Sequence, residues 1–112
     1  MPGGSSAGLG NIAFSSLIAV TLSPGIVTPT FIGEQTFTVP GIQIGDSVTV
    51  SKPTQQGYLG IVNVRVSAAN TVAIAFINLT NITQTPTATE VYTFEVNRPT
   101  TPSSTALPGT FY

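Results

Sequence analysis

Apolar and polar residues alternate along most of this 112-residue chain, with the period of two that is typical of strands half-buried in a β-sheet. Turn sequences built from Pro, Gly, Asn and Asp interrupt the alternation. A helical spacing exists at Phe14, Leu17 and Ile18, but the neighbouring Ser and β-branched residues favour a strand there. We therefore predict strands or extended segments at residues 12–22, 26–32, 34–39, 47–51, 61–67, 71–78 and 90–98.

The clearest signal is a hairpin formed by residues 61–67 and 71–78. The loop between them ends in Asn70, and Asn tolerates the left-handed backbone conformation that short loops need. Ala73 and Ala75 lie on the face opposite the predicted core, and their small size indicates that this face is also closely approached. The predicted core residues of the hairpin are Val62, Val64, Val66, Val72, Ile74 and Phe76.

The other strands supply the rest of the predicted core. Ser15 and Ser16 predict a break or bulge within the first strand. Residues 79–89 read as a Thr-rich loop, with Leu79 and Ile82 as its apolar anchors. The remaining residues predicted to point inward are Phe37, Val39, Ile42, Ile44, Tyr92, Phe94 and Val96.

These elements predict an all-β fold, a single antiparallel β-sandwich or jelly roll with extended arms at both ends. A parallel α/β fold is excluded because the chain offers no crossover helix. We predict a flexible Gly- and Ser-rich N-terminal arm at residues 1–10, the sandwich at residues 11–98 and an extended tail at residues 99–112.

The scarcity of charged residues and the absence of His and Cys exclude several classes of functional site. Only 6% of the residues are charged, and the chain has no His and no Cys. Zinc sites, thiol nucleophiles, disulfides and imidazole catalysis are therefore excluded. Three cations are too few to neutralise a run of phosphates, so we expect no nucleic-acid binding. Ser, Thr, Asn and Gln make up 39 residues; such a neutral surface favours assembly with other subunits, and a Thr-rich secreted or periplasmic domain is the alternative.

The few titratable residues do not form a catalytic set. Asp46 lies in a predicted turn, where Asp accepts hydrogen bonds from the backbone. Lys52 is the one base available to a Ser nucleophile, and its neighbour Ser51 projects to the opposite side of a strand. Arg65 and Glu95 form a cross-strand ion pair if their strands are neighbours. We therefore expect no enzyme activity, no metal and no cofactor, and the apolar stretches are too short for a membrane helix.

Candidate partner-binding residues lie near the C-terminus. Arg98 ends the last predicted strand, and Arg is enriched at protein interfaces. Leu107, Phe111 and Tyr112 are large apolar residues on an otherwise polar tail. Such side chains contribute little unless they dock against another surface.

The stretch from Phe37 to Arg98 carries a recurring pattern of turns and alternating strands. It resembles small β domains in virion structural proteins of tailed bacteriophages, including capsid decoration (cement) proteins and head or tail accessory proteins. The matching positions are Phe37, Val39, Gly41, Ile42, Gly45, Asp46, Val48, Val50, Gly60, Ile61, Val62, the run 65–72, Ile74, Phe76, Asn78, Tyr92, Phe94, Val96 and Arg98.

The resemblance implies a structural, non-enzymatic role. We expect a decoration protein on the capsid surface of a virion, bound to the major capsid protein or another virion protein, and forming a homo-oligomer with a trimer favoured. The alternative is a receptor- or glycan-binding module of a tail fibre or adhesin, with Tyr58 or Tyr112 at the site. Neither nucleic acid nor membrane is expected as a partner.

Overall fold

The structure, a computed structural model, describes residues 12–99 and contains six strands in that range. Every strand pairing is antiparallel. The strands are β1 (Ile12–Leu22), β2 (Phe31–Thr38), β3 (Ser47–Ser51), β4 (Leu59–Ala68), β5 (Thr71–Asn78) and β6 (Glu90–Pro99).

Two three-stranded sheets pack against each other, which confirms the predicted all-β sandwich. One sheet has the order β1-β6-β3 and the other has the order β2-β5-β4. The chain crosses between the sheets at four of its five connections, and the β4–β5 hairpin is the exception. The predicted arms at residues 1–10 and beyond Pro99 lie outside the described residues.

The core lies between the two central strands. Tyr92, Phe94 and Val96 of β6 face Val72, Ile74 and Phe76 of β5, and none of the six is more than 1% exposed. These six inward positions follow the alternation of the sequence. Burial of aromatic and branched side chains at this density is the main stabilising contribution to a domain of this size.

The hairpin tip is fixed by the loop between β2 and β3. Asn70 has a φ of 60°, which confirms the left-handed conformation expected of it. Its backbone N–H donates to the Ile42 carbonyl at 2.8 Å, and its carbonyl accepts from the Val39 N–H at 2.9 Å. Its side-chain oxygen accepts from the Gly41 N–H at 2.7 Å. The hairpin therefore holds Val39 and Ile42, both buried as predicted.

Two predicted core residues are exposed instead. The β4–β5 register shifts between Ile61 and Asn63, so the intervening Val62 is displaced from the inward face and is half exposed. Ile61 takes its place against the core. Ile44 is 72% exposed because it lies in the loop that turns back toward Asp46 rather than on a strand.

The first third of the chain also differs from its prediction. β1 continues through Ser15 and Ser16 without a break, and its single irregularity lies between Ile12 and Phe14. Most of residues 26–32 form a loop, and β2 begins only at Phe31. Pro29 lacks a backbone N–H and cannot pair in a ladder, and Thr30 has a φ of 49°, so the strand begins after both.

A matched pair of substitutions tests this core assignment. Ile74→Ala should lower the free energy of unfolding by about 3 kcal/mol, because Ile74 is fully buried and the cavity adds to the lost burial. Ile44→Ala should change it by less than about 0.5 kcal/mol. Urea denaturation followed by tyrosine fluorescence measures both. Equal losses at the two positions would contradict the assignment of Ile44 to the surface.

Candidate binding surface at the loop end of the sandwich

The two ends of the sandwich differ in what they carry. Ile12 lies opposite Pro99, so the described part of the chain begins and ends at one end of the sandwich, which we call the terminal pole. The loops 23–30, 52–58 and 79–89 all lie at the other end, which we call the loop pole. Loops at one end of a sandwich are free to vary while the sheets hold them in place.

Asn78 holds the loop pole together from inside. It is the buried polar residue at the end of β5, with no exposed surface. Its amide nitrogen donates to the Val27 carbonyl at 2.9 Å and to the Ile82 carbonyl at 2.8 Å. Its amide oxygen accepts from the backbone N–H and the hydroxyl of Thr80. One neutral side chain thereby joins the first and third loops.

Two glutamines extend the same arrangement. Gln35 on β2 accepts from the Gly25 N–H at 2.7 Å and donates to the Gly25 carbonyl at 3.0 Å. Gln56 in the second loop donates to the Thr85 carbonyl and accepts from the Thr87 N–H. Backbone groups in loops must find partners, and here side-chain amides supply them. The three loops therefore form one connected surface.

This surface exposes large apolar side chains. Tyr58 is 73% exposed and Leu79 is 63% exposed, and the Leu79 N–H donates to the Tyr58 carbonyl at 2.8 Å. Ile26, Phe31 and Ile82 are also more than half exposed. The prediction that Leu79 and Ile82 anchor their loop in the core is wrong, because Asn78 takes that role.

Backbone strain is concentrated at the same pole. Thr30, Tyr58 and Thr89 have φ values of 49°, 62° and 57°, in the left-handed region that non-glycine residues seldom occupy. Each such residue costs on the order of 1 kcal/mol, and strained residues are concentrated at binding sites. The apolar side chains of the loop pole are thus presented by loops held in defined, unfavourable conformations.

The ion pair of the loop pole is internal. Lys52 Nζ lies 2.9 Å from Glu90 Oε1 and also donates to the carbonyl of Thr54. The Thr54 hydroxyl donates to the other Glu90 oxygen. That hydrogen bond, followed by the one from Lys52, holds the pKa of Glu90 below its usual range.

Arg65 pairs with Glu34 and not with Glu95. The guanidinium Nε lies 2.7 Å and Nη2 lies 2.9 Å from the two carboxylate oxygens. β4 and β6 belong to different sheets, so the expected partner is out of reach. Arg65 and Glu34 lie on the two strands that flank β5, opposite Ala73 and Ala75. Both alanines are buried, which confirms that this face is closely approached.

Arg98 lies in a cluster at the terminal pole. Its Nε and Nη2 donate to the two oxygens of Asp46, each at 2.8 Å, and Nη2 also donates to the Gly41 carbonyl. The guanidinium carbon is 4.5 Å from the centre of the Phe14 ring, a cation–π distance. The Asp46 carboxylate also accepts from the Gln43 N–H, as expected for Asp in a turn.

A contact between Arg98 and a partner remains a prediction, since the guanidinium is already bound within the chain. Leu107, Phe111 and Tyr112 lie outside the described residues. The sequence therefore drew attention to the C-terminal end, whereas the exposed apolar groups of residues 12–99 are concentrated at the loop pole. In the sequence these exposed groups are visible only as apolar residues within loops rich in Thr and Pro. Such loops have no regular periodicity, so the sequence does not distinguish a buried anchor from an exposed side chain.

Few titratable side chains lie within the described residues. No group of three or more potential metal-ligating side chains occurs among residues 12–99, and no helix in that range is long and apolar enough to cross a membrane.

The hydroxyl of Tyr92 is buried without a hydrogen-bond partner in the described part of the chain. Burial, with the Glu90 charge second, raises the pKa of Tyr92 to about 12, so the phenol stays neutral.

One cleft lies between β3 and β4. Its volume is about 260 Å³, below the range of about 300–1,000 Å³ typical of small-molecule sites. Lys52, Leu59 and Ile61 lie along it, and the Lys52 ammonium is already paired with Glu90. The extended apolar surface of the loop pole is therefore the stronger candidate for binding.

Comparisons with known protein families, curated proteins and solved structures find no match to this chain.

The role of Asn78 can be tested with a charge substitution and a matched control. Asn78→Asp keeps the oxygen that accepts from Thr80 but turns a carboxylate toward the Val27 and Ile82 carbonyls. We expect a loss of about 2–4 kcal/mol at pH 7, measured by urea denaturation. Asn81→Asp, at an exposed position of the same loop, should cost less than about 0.5 kcal/mol.

The loss at Asn78→Asp should shrink at pH 4, because a protonated carboxyl group can donate a hydrogen bond again. A loss that is the same at both pH values would show that the amide donor is not what matters at this position.

Acid stability should depend on the three ion pairs. In the folded protein Arg65 lowers the pKa of Glu34 and Arg98 lowers the pKa of Asp46. The Thr54 hydroxyl, followed by Lys52, lowers the pKa of Glu90. A carboxyl group whose pKa is lower in the folded than in the unfolded protein stabilises the fold at pH values above its unfolded pKa. This stabilisation is lost as the pH falls through its folded pKa. The melting temperature should stay level from about pH 5.5 to 8 and fall below about pH 4.5.

Asp46→Asn should melt lower than the wild type at neutral pH and lose less on acidification. The comparison uses melting temperatures recorded by circular dichroism in one buffer series. Parallel acid profiles for the two proteins would contradict a contribution from the Asp46–Arg98 pair.

Proposed function

We propose that this chain is a structural subunit of a tailed-phage particle, a capsid decoration protein that binds the outer surface of the shell and stabilises it. The observation that carries the proposal is the loop pole. Its exposed side chains Tyr58, Leu79 and Ile82 are apolar, its charges are paired internally, and its loops are tied together by Asn78 and two glutamines.

The charge distribution supports binding to protein rather than to a charged polymer. The chain has three Lys and Arg residues, and each forms an ion pair within the chain. A surface without free cations loses little solvation energy when it packs against another neutral protein surface. Interfaces of this kind depend on a few large apolar or aromatic side chains at their centre, such as those at the loop pole.

The placement of the two poles supports simultaneous contacts with more than one subunit. The described part of the chain begins and ends at the pole opposite the loop pole. A subunit held at its loop pole would keep this terminal pole available for a neighbour. Two weak contacts on one lattice reinforce each other because the second forms at high effective concentration.

The alternative is a glycan-binding module, and Tyr58 is the observation in its favour. The ring is the most exposed aromatic side chain of the described residues, and its backbone is held at a φ of 62°. A fixed, exposed ring is suited to stacking on an apolar sugar face. The neighbouring Leu79 and Ile82 offer no polar groups to orient sugar hydroxyls, so we favour a protein surface as the partner.

Binding to isolated shells tests the proposal. Wild-type protein should cosediment with expanded, emptied heads of the phage that encodes it. The triple variant Tyr58→Ser, Leu79→Ser, Ile82→Ser should bind at least about tenfold more weakly, since the loss of central apolar contacts at an interface exceeds about 1.4 kcal/mol. Ile44→Ser, an equally exposed residue at the terminal pole, is the matched control and should bind as wild type does.

Wild-type protein that fails to bind shells, together with Tyr58-dependent binding on a polysaccharide array, would replace the proposal with the glycan-binding alternative. Full shell binding by the triple variant would overturn the assignment of the contact to the loop pole. A chain shortened after Pro99 then tests the tail residues Leu107, Phe111 and Tyr112 as the contact.

A further inference from the structure

Among the described residues, strand β1 is a sheet edge that lacks the usual features that block strand pairing along residues 14–22. It is eleven residues long and pairs with β6 on one side, while its other side pairs with no described strand. Its sequence has no charged residue, no Pro and no Gly. Sheet edges of this kind accept a further strand, because their free N–H and C=O groups form a ready template.

The other three edges carry features that oppose pairing. β2 and β4 carry the Glu34–Arg65 ion pair, and β4 also has two register irregularities. β3 has only five residues and is followed closely by Pro53. Charges, bulges, Pro and short length are the usual means by which proteins block edge pairing. β1 has none of these along residues 14–22.

The half of β1 nearer the terminal pole, residues 14–17, exposes side chains on both faces of the sheet. The side chains of residues 14–17 are all exposed, although Phe14 and Ser16 lie on the inward side of the sheet. Leu17 is 71% exposed on the outward side. Residues 18–22 are better covered, since Ile18 and Val20 pack against the core. The exposed half therefore lacks the apolar neighbours that the other half has.

We propose that β1 pairs antiparallel with β1 of a second copy of this chain, about a two-fold axis at Leu17. Leu17 is the central residue of Ile12–Leu22, so this register pairs residues 14–20 of both strands and keeps the irregularity near Ile12 at its two ends. Each inward residue of the exposed half then gains an apolar neighbour. Phe14 lies opposite Val20 of the second copy, and Ser16 lies opposite its Ile18.

The pairs in this register are compatible in chemistry. Aromatic and β-branched residues such as Phe14 and Val20 are favourable cross-strand neighbours. On the outward side Leu17 meets itself, and Ser15 meets Ala19. Glu95 lies beside Leu17 on β6. Its two copies are three strand spacings apart, about 14 Å, which exceeds the screening length of about 8 Å at physiological ionic strength.

The resulting dimer is closed. A two-fold contact uses the same edge on both copies and leaves neither β1 free, so it does not propagate into a fibre. The two sheets join into one six-stranded sheet with the order β3-β6-β1-β1-β6-β3. An interface made mainly by one strand edge is small, below about 1,200 Å², so we expect a dimer that dissociates on dilution.

Single cysteines test the pairing and its register, because the natural chain has none. Leu17→Cys should form a disulfide-linked dimer under mild oxidation, since directly opposed strand residues lie about 4.5–5.5 Å apart and disulfides span this distance. Ser15→Cys alone and Ala19→Cys alone should not, because each is about 13 Å from its own copy. A mixture of these two variants should give the mixed dimer.

A charge variant tests the dimer without cross-linking. Leu17→Glu brings four carboxylates together across the axis, and sedimentation velocity should show a dissociation constant raised at least tenfold. Val91→Glu is the matched control on the same sheet face, half exposed but on the central strand, and it should dimerise as the wild type does.

Three outcomes would overturn the proposal. The first is a wild-type chain that stays monomeric at millimolar concentration. The second is a trimer in which Leu17→Cys does not cross-link. The third is a chain that is monomeric alone and whose binding to phage shells is lost in Leu17→Glu, which would assign the edge to a different protein. The first two outcomes do not depend on whether the loop pole binds shells.

Discussion

Loops that cross between two sheets leave backbone N–H and C=O groups without ladder partners, and burial of such groups is costly. This chain crosses between its sheets four times, and three of those crossings meet at the loop pole. The side-chain amides of Asn78, Gln35 and Gln56 supply hydrogen-bond partners for these groups. Each amide donates from its nitrogen and accepts at its oxygen. An amide both donates and accepts, so a neutral side chain can join two loops where a carboxylate or ammonium could only accept or only donate.

The few charges serve the same structural purpose. Each Lys or Arg joins segments that are distant in sequence: Lys52 with Glu90, Arg65 with Glu34, Arg98 with Asp46. The first pair lies at the loop pole, the second spans the outer face of one sheet, and the third closes the terminal pole. The charges therefore contribute to the architecture and not to a field that steers a ligand.

Alternation in the sequence predicted β3, β5 and β6 closely, because strands with one buried face show their register directly. It failed where a single residue shifts the alternation of inward and outward positions. The register shift at Val62 moved that predicted core residue to the surface, and the loop at Ile44 looked like a continuation of Ile42. Strand pairing was not predictable, since period two does not say which strands share a sheet. The Arg65–Glu95 ion pair was therefore predicted only on the condition that their strands are neighbours, which they are not. The loop pole was missed because its organising residue, Asn78, reads in sequence as an ordinary polar strand end.

Edge protection draws on the same small set of charged residues. A sandwich of two three-stranded sheets has four edges, and charge is the commonest means of blocking them. In this chain Arg65 and Glu34 protect two edges while they cover Ala73 and Ala75 of β5, and Lys52 and Arg98 are held at the poles by their own partners. β3 is protected by its length. The fourth edge, β1, contains no charged residue of its own, and it is also the longest. A neutral strand of that length is prone to aggregate unless its edge is paired. The proposed pairing about Leu17, the central residue of β1, leaves neither copy's β1 edge free.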